Sequence, residues 1–445
     1  MTELIERASP TDLAFLAMDR GPVPEQIAAL LVLAPSVRLD LAGVQQVLAE
    51  RIGALPRLRQ RLVRVPPGCG RPIWVDDPGF DIRRHVRRLR CRYPGDEQAL
   101  LDTAAAVVTQ RLPRSRPLWS AVLVTGLAAG GVALLVVLHH ALADGLGGLA
   151  VLASLADGTT GHGGATDSGD ATDPAGFPRR PPTPGRLAAD AARGRLRALA
   201  RTRVAWRELR TSMSAGGGLA PPRATRCSLL RPTGPRRRVA VVHADLAAVR
   251  AAAHRNGGTV NDALLVAVGG ALRRVLVARG EPVDALAVAV PVAGRRAATA
   301  AGLGNQVAPM VVTVRLTGDP AQRLRQVDAA VRERRAAATG PPPIAVLGPL
   351  FRVLAALGGY RWYMTHQHRL HTLVSYVRGP DRPISIAGAP VTDVVPVVLG
   401  PAGNLTVNFI AVSYAGTLTV TVVADPDHFP ELPALADGLR AELAG

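Results

Sequence analysis

Trp119 to Leu138 is a run of 20 residues without a charge, and it ends directly on His139-His140. A stretch that long and apolar has two physical outcomes, a helix across a bilayer or strands sealed inside a core. Gly130-Gly131 interrupts it, with Val-rich stretches on either side. Two strands joined by a turn fit that pattern, so a buried hairpin is expected rather than a membrane span. The hairpin leads into His139-His140-Ala141-Leu142-Ala143-Asp144-Gly145, followed by Gly147-Gly148. A histidine leaving a strand at such a turn can take a proton at neutral pH without a metal, because its ordinary pKa is about 6.5.

The 445 residues suffice for two domains or one large one, and at 48% hydrophobic content they can build a sizeable core. Aromatics are only 3%, so that core must be Ala, Val and Leu. The net charge of +19 comes with no lysine at all, every basic residue being arginine. Such a balance favours anionic partners: membrane surfaces, phosphate-bearing substrates or nucleic acid. Nucleic acid is set aside, since aromatics are scarce and no helix-turn-helix or RNA-binding signature is present. Cys69, Cys91 and Cys227 match no zinc or redox spacing, which suits a reducing cytoplasm. The N-terminus shows no basic segment followed by an apolar one, so no signal peptide is expected.

Residues 1–156 read as a mixed α/β domain, with helices at Leu41–Ile52 and Asp96–Leu112 and short strands at Arg61–Val65 and Pro72–Val75. Residues 157–225 read as a Gly/Thr/Asp/Ser/Pro loop, flexible to Gly185, and then a basic helix, Arg186–Met213. Leu196, Leu199, Trp206, Leu209 and Met213 share one face of that helix and eight arginines cover much of the rest. It reads equally as a helix at an anionic membrane and as an inter-domain helix with a solvated face. Residues 226–445 repeat the mixture: helices at Leu246–Arg255, Val260–Arg279, Pro320–Ala338, Ile344–Leu357 and from Leu432. Strands are expected at Val239–Val242, Ala285–Val290, Val307–Val314, Leu373–Val377, Asn404–Tyr414 and Leu418–Val423.

His-His-x-x-x-Asp-Gly is the signature of acyltransferases that resemble chloramphenicol acetyltransferase, and the remaining blocks narrow the resemblance. Ser9-Pro10-Thr11-Asp12 with Phe15, Leu55-Pro56-Arg57-Leu58-Arg59, Pro72-Ile73-Trp74, Pro117-Leu118-Trp119, Asn261-Asp262, Pro291-Val292-Ala293-Gly294-Arg295, Gly304-Asn305-Gln306 and Ser413-Tyr414 occur in order. They resemble the bacterial wax ester synthase/diacylglycerol acyltransferase family along almost the whole chain. The resemblance implies an α/β fold of two chloramphenicol acetyltransferase-like domains, mixed sheets flanked by helices, with a central channel. It implies an acyl-CoA-dependent O-acyltransferase that makes triacylglycerol from diacylglycerol, wax esters from long-chain alcohols, or both. Acyl-CoA is then a co-substrate, no cofactor or metal is needed, and a membrane or lipid-droplet surface is the peripheral partner of a cytoplasmic chain. The alternatives are a condensation-type or natural-product acyltransferase taking its donor from a carrier protein, and a non-catalytic lipid binder.

The same resemblance distributes roles. His140 is the general base that deprotonates the attacking alcohol. His139 belongs to the catalytic group and reads as orienting its neighbour. Asp144 is expected to shape the turn through a salt bridge, with Arg295 as partner, and Gly145 to allow a conformation or approach that a side chain would block. Asn261 reads equally as an oxyanion donor and as a helix cap, with Thr259 or Asp262 able to cap instead. Asn305, Gln306 and Ser375 are assigned to substrate; Arg295, Asp262 and Trp119 to structure. His366, His368 and His371 read as surface residues rather than a metal site. Tyr376-Val377-Arg378-Gly379-Pro380 departs from the family's Asn-Val-Pro-Gly-Pro loop, a departure that bears on the acceptor pocket.

Overall fold

A computed structural model of the chain describes residues 5–35, 39–158, 176–200, 224–293, 307–337, 343–400 and 402–445. Its architecture is mixed α/β, built on two six-stranded sheets. The uncharged run is a hairpin. Strand Trp119–Thr125 pairs antiparallel with Val132–His139, in a register that sets Trp119 opposite Leu138 and Val124 opposite Ala133. Gly130, at a φ of 73°, sits in the turn. Among the described residues no helix is long and apolar enough to cross a membrane.

Val132–His139 is apolar at almost every position because both of its faces are covered. Leu134, Val136 and Leu138 enter a core with Trp74 and Trp119, whereas Ala133, Leu135 and Val137 enter another with Leu101, Ala104 and Val108. That second core also holds Val239, Val241, Ile410 and Val423, which are strand residues of the other sheet. The two sheets therefore share one apolar cluster.

The first sheet runs in the order Ser385–Ile386, Ala389–Val398, Gln26–Leu33, Val132–His139, Trp119–Thr125, Val86–Arg90. Its first two strands come from the second half of the chain and were not expected from the sequence. Tyr414 ties this crossover down, its hydroxyl donating to the Val391 carbonyl at 2.9 Å and accepting from the Ile384 N–H at 2.8 Å. The second sheet runs Arg238–Asp245, Thr417–Ala424, Val407–Tyr414, Thr372–Arg378, Ala285–Ala293, Val307–Arg315. Tyr376 and Val377 lie in the strand expected at Leu373–Val377, which continues to Arg378 and ends before Gly379-Pro380. Tyr376 packs against the second half's core and its hydroxyl donates to Ser413 Oγ at 3.1 Å.

The basic helix begins at Pro184, and its described part ends at Ala200; residues 201–213 lie outside the described residues, as do 159–175 of the preceding loop. Leu187 and Ala191 are buried against the first half, Leu187 in a cluster with Cys69 and Ile73. Asp190 accepts from Arg7 Nε at 2.6 Å. Asp157, expected at the start of a flexible loop, is fixed by Arg51 at 2.5 Å and by the backbone of Ala387 and Gly388.

Candidate active site

The motif strand ends at the two histidines. Side chains alternate along a strand. His139 continues the Ala133, Leu135, Val137 face and is buried, while His140, one residue past the last strand position, is half-buried. Both are met by one short helix, Pro10–Met18. A capping box starts that helix: Ser9 Oγ accepts from the Asp12 N–H at 3.0 Å, and the Ser9 N–H donates to Asp12 Oδ2 at 2.9 Å. Phe15 lies in the helix and Asp19 is its C-cap, four residues on and so on the same face. The Phe15 ring stacks on His140 at 3.9 Å and 7°. Asp19 Oδ2 lies 3.3 Å from His139 Nε2.

The proton positions on His139 follow from its partners. Nδ1 accepts from the Ala141 N–H at 2.9 Å, so the ring hydrogen sits on Nε2 and donates to Asp19. Asp19 also binds Arg111 and, at 2.9 Å, Arg114. Burial alone would raise its pKa. Hydrogen bonds from His139 and Arg114, with the charge of Arg111, outweigh burial and hold the carboxyl well below the usual range. His139 is locked at both nitrogens against a permanent anion. Glu25 stands beside this network, its N–H donating to Asp19 Oδ1 at 3.2 Å and its carbonyl accepting from the His140 N–H at 2.9 Å. Burial and the Asp19 charge push the Glu25 carboxyl up to about 8, with Arg111 opposing.

Asp144 is fully buried and caps helix Gly145–Leu155, Oδ1 accepting from the Gly147 N–H at 2.8 Å. Arg295, its expected partner, lies outside the described residues, as do Asn305 and Gln306. At Gly145 an added Cβ would stand 3.0 Å from Val377 Cγ2, so the glycine permits strand Thr372–Arg378 to approach the motif turn closely. By strand alternation Ser375 shares the Val377 face, the one turned towards the motif. Trp119 is buried, stacks on His85 at 4.6 Å, and donates its Nε1–H to the Leu58 carbonyl at 2.7 Å.

Helix Val260–Ala278 opens with a second capping box, Thr259 Oγ1 accepting from the Asp262 N–H and Asp262 Oδ2 from the Thr259 N–H. Thr259 is the cap, which leaves Asn261 free of that task. Its Nδ2 is buried and has no hydrogen-bond partner among the described residues, an uncompensated donor of the kind a substrate oxygen satisfies. His371 is not a surface residue. It is buried, its Nδ1 accepting from the Ala287 N–H at 2.9 Å and its Nε2 donating to the Thr225 carbonyl at 2.7 Å. Among the described residues no group of three or more His, Cys, Asp or Glu could hold a metal ion.

Two sheets sharing a core, with a His-His-x-x-x-Asp-Gly turn at the end of a central strand, define an acyltransferase of the chloramphenicol acetyltransferase-like class. The wax ester synthase/diacylglycerol acyltransferase catalytic-domain model matches residues 8–264, and the family's C-terminal-domain model matches 303–445. The chain belongs to this family. A Mycobacterium tuberculosis (strain ATCC 25618 / H37Rv) protein described as a probable diacylglycerol O-acyltransferase is 30% identical over 455 residues, 99% of this chain and 92% of that protein. A second relative from that strain, with a similar description, is 30% identical over 468 residues, 99% of this chain and 89% of that protein. In fold the chain is similar to the wax ester synthase/diacylglycerol acyltransferase from Marinobacter aquaeolei VT8, with a TM-score of 0.67 and 23% identity over 99% of this chain and 98% of that one. It is also similar to the first condensation domain of the calcium-dependent antibiotic synthetase, with a TM-score of 0.65 and 17% identity over 100% of this chain and 96% of that one.

Asp19, Glu25, Arg111 and Arg114 were not expected at the site. Asp19 carried a signal, its spacing from Phe15. The others carried none, since they meet only through the fold.

Proposed function

We propose that this acyltransferase transfers an acyl group from acyl-CoA to the hydroxyl of diacylglycerol, of a long-chain alcohol, or of both, with His140 as general base. The observation that carries the reading is the stack of the half-buried His140 ring on Phe15, next to a His139 anchored by Asp19. His139 has both nitrogens committed to Asp19 and Ala141. His140 is half-buried and held by ring stacking on Phe15, which fixes the plane of the imidazole. His140 takes the hydroxyl proton as the oxygen attacks the thioester carbon. The new C–O bond forms, the C–S bond breaks, and the departing thiolate takes the proton back. The Asn261 amide is the donor assigned to the transient oxyanion.

The chain is also assigned to an anionic lipid surface. Leu350, Val353, Leu354, Leu357 and Trp362 are exposed along helices Pro343–Ala356 and Gly359–His366 and the turn between them. Residues 343–372 contain no Asp or Glu. Apolar side chains beside arginines suit an anionic interface. Co-sedimentation with anionic but not neutral vesicles is expected, and equal recovery with both would remove this assignment.

Incubation of the purified protein with radiolabelled palmitoyl-CoA and either diacylglycerol or hexadecanol tests the chemistry. Ester is expected, and His140→Ala is expected to lose at least about 100-fold in rate. No ester from either acceptor, or an undiminished rate in His140→Ala, overturns the reading. Ester formed only from a carrier-protein-bound donor would replace it with the condensation-type alternative.

A further inference from the structure

A cavity of about 1380 Å³ opens between helix Pro10–Met18, the hairpin of Gln60–Val63 and Ile73–Asp76, the basic helix Pro184–Ala200 and the apolar helix Pro343–Ala356. Among the described residues seven arginines line it, with Asp190 the one acid on the wall. Arg7 is paired with Asp190 and Arg114 with Asp19. Arg20 and Arg195 donate to the carbonyls of Ala356 and Gly68. Arg64, Arg71 and Arg352 make no ion pair or side-chain hydrogen bond among the described residues. The site's floor is apolar, with Leu13, Leu16 and Leu118, and it adjoins the histidine pair. Leu118 accepts the His139 N–H at 2.9 Å, and Arg114 shares Asp19 with His139.

We propose that this cavity is a phosphate subsite, with Arg64, Arg71 and Arg352 holding the phosphate end of the acyl thioester while its acyl arm runs over Leu16 and Leu118 to the histidines. The inference rests on the acyl-CoA reading for the identity of its ligand. Guanidinium groups that converge with Asp12 as a partial counter-charge still repel one another, and an anion between them lowers that cost. Desolvation and the charges of Arg7 and Arg352 lower the Arg71 pKa, with Asp12 opposing. The guanidinium fork matches a phosphate bidentately. Diacylglycerol and long-chain alcohols carry no charge, so of the proposed substrates only the CoA thioester brings phosphates. A lipid head group offers the same chemistry, and the test separates the two sources.

The test is calorimetric titration of the full chain with CoA, with phosphate-free pantetheine and with phosphatidate vesicles, for wild type and for Arg71→Gln/Arg352→Gln. Wild type is expected to bind CoA, pantetheine to compete poorly, and the double variant to raise the CoA Kd at least about tenfold. The kcat/KM ratio of palmitoyl-CoA over palmitoyl-pantetheine is expected to fall by a similar factor. An unchanged Kd, or pantetheine competing as well as CoA, overturns the proposal. Arginine-dependent binding of phosphatidate but not CoA overturns the thioester assignment and moves the subsite to a lipid head group. Arginine-dependent CoA binding without ester formation would leave the subsite standing and remove the catalytic reading instead. Should the double variant fail to fold, Arg64→Gln, at an exposed position, and the charge-retaining Arg71→Lys provide the same comparison.

Discussion

Asp19 anchors His139 from outside the signature, across 120 positions of sequence. The His-His-x-x-x-Asp-Gly motif named the chemistry, but it could not show which acid faces the histidines. The in-motif Asp144 instead spends an oxygen on the Gly147 N–H. Asp19 is a positioning residue, since it acts through His139. Asp19→Asn is expected to lower kcat about 10- to 100-fold with little change in KM, because a small misplacement at a reacting centre costs about that much. Asp19→Glu should recover part of it. An equal loss in kcat and in the folded fraction, without a kcat-against-KM split, would reduce Asp19 to a purely structural residue. Glu25 yields a pH prediction of opposite sign to Asp19. Its folded pKa is raised, so its stabilising contribution is complete below the unfolded value of 4.5 and is lost as pH rises through about 8. The Tm of wild type should fall across that window, and Glu25→Gln should flatten the slope; parallel profiles would refute the assignment. Asp19, with a depressed pKa, contributes above its ordinary value of 3.8 and loses that contribution as pH falls below it.

At the scale of elements, the legible parts were those with a local cause. The hairpin was marked by Gly130-Gly131, and helix Val260–Ala278 by its start at Thr259/Asp262, whereas helix Pro10–Met18 was not expected although Ser9/Asp12 form a capping box there too. The crossover strand Ala389–Val398 was not legible, because Pro390, Asp393 and Pro396 break its apolar run. In the fold Asp393 has partners that sequence does not reveal, His243 at 2.8 Å and Thr419 at 3.1 Å. The strand through Tyr376 was expected at Leu373–Val377, but its parallel pairing with Val407–Tyr414 was not. The approach of strand Thr372–Arg378 to the motif turn depends on Gly145 lacking a side chain. Gly145→Val is therefore expected to destabilise by about 1–3 kcal/mol through overpacking. Val377→Ala in the same chain should recover part of that loss in denaturant unfolding. An equal penalty in both backgrounds would show that the cost arises elsewhere.

Across the whole molecule, the two sheets cannot be separated without exposing apolar surface. Val239, Val241, Ile410 and Val423 of one sheet pack in the same cluster as Leu30, Val122, Leu135 and Val137 of the other. The crossover adds backbone pairing: Gln26–Leu33 is flanked by Val132–His139 from its own half and by Ala389–Val398 from the other. The first sheet is thus incomplete until the second half of the chain has been placed. Each buried Val or Leu contributes about 1.5–3 kcal/mol relative to exposure, so a cluster of this size outweighs the few kcal/mol by which a domain is usually stable. The chain is expected to unfold in one cooperative transition, with the calorimetric and van't Hoff enthalpies in agreement. Residues 1–225, expressed alone, should lack cooperative unfolding, because strand Gln26–Leu33 would be left with an unpaired edge and an exposed apolar face. Two resolved transitions in the intact chain, or a cooperatively folded 1–225 fragment, would mean that the shared cluster does not couple the halves. The active site would then sit on one separately stable body rather than depend on both.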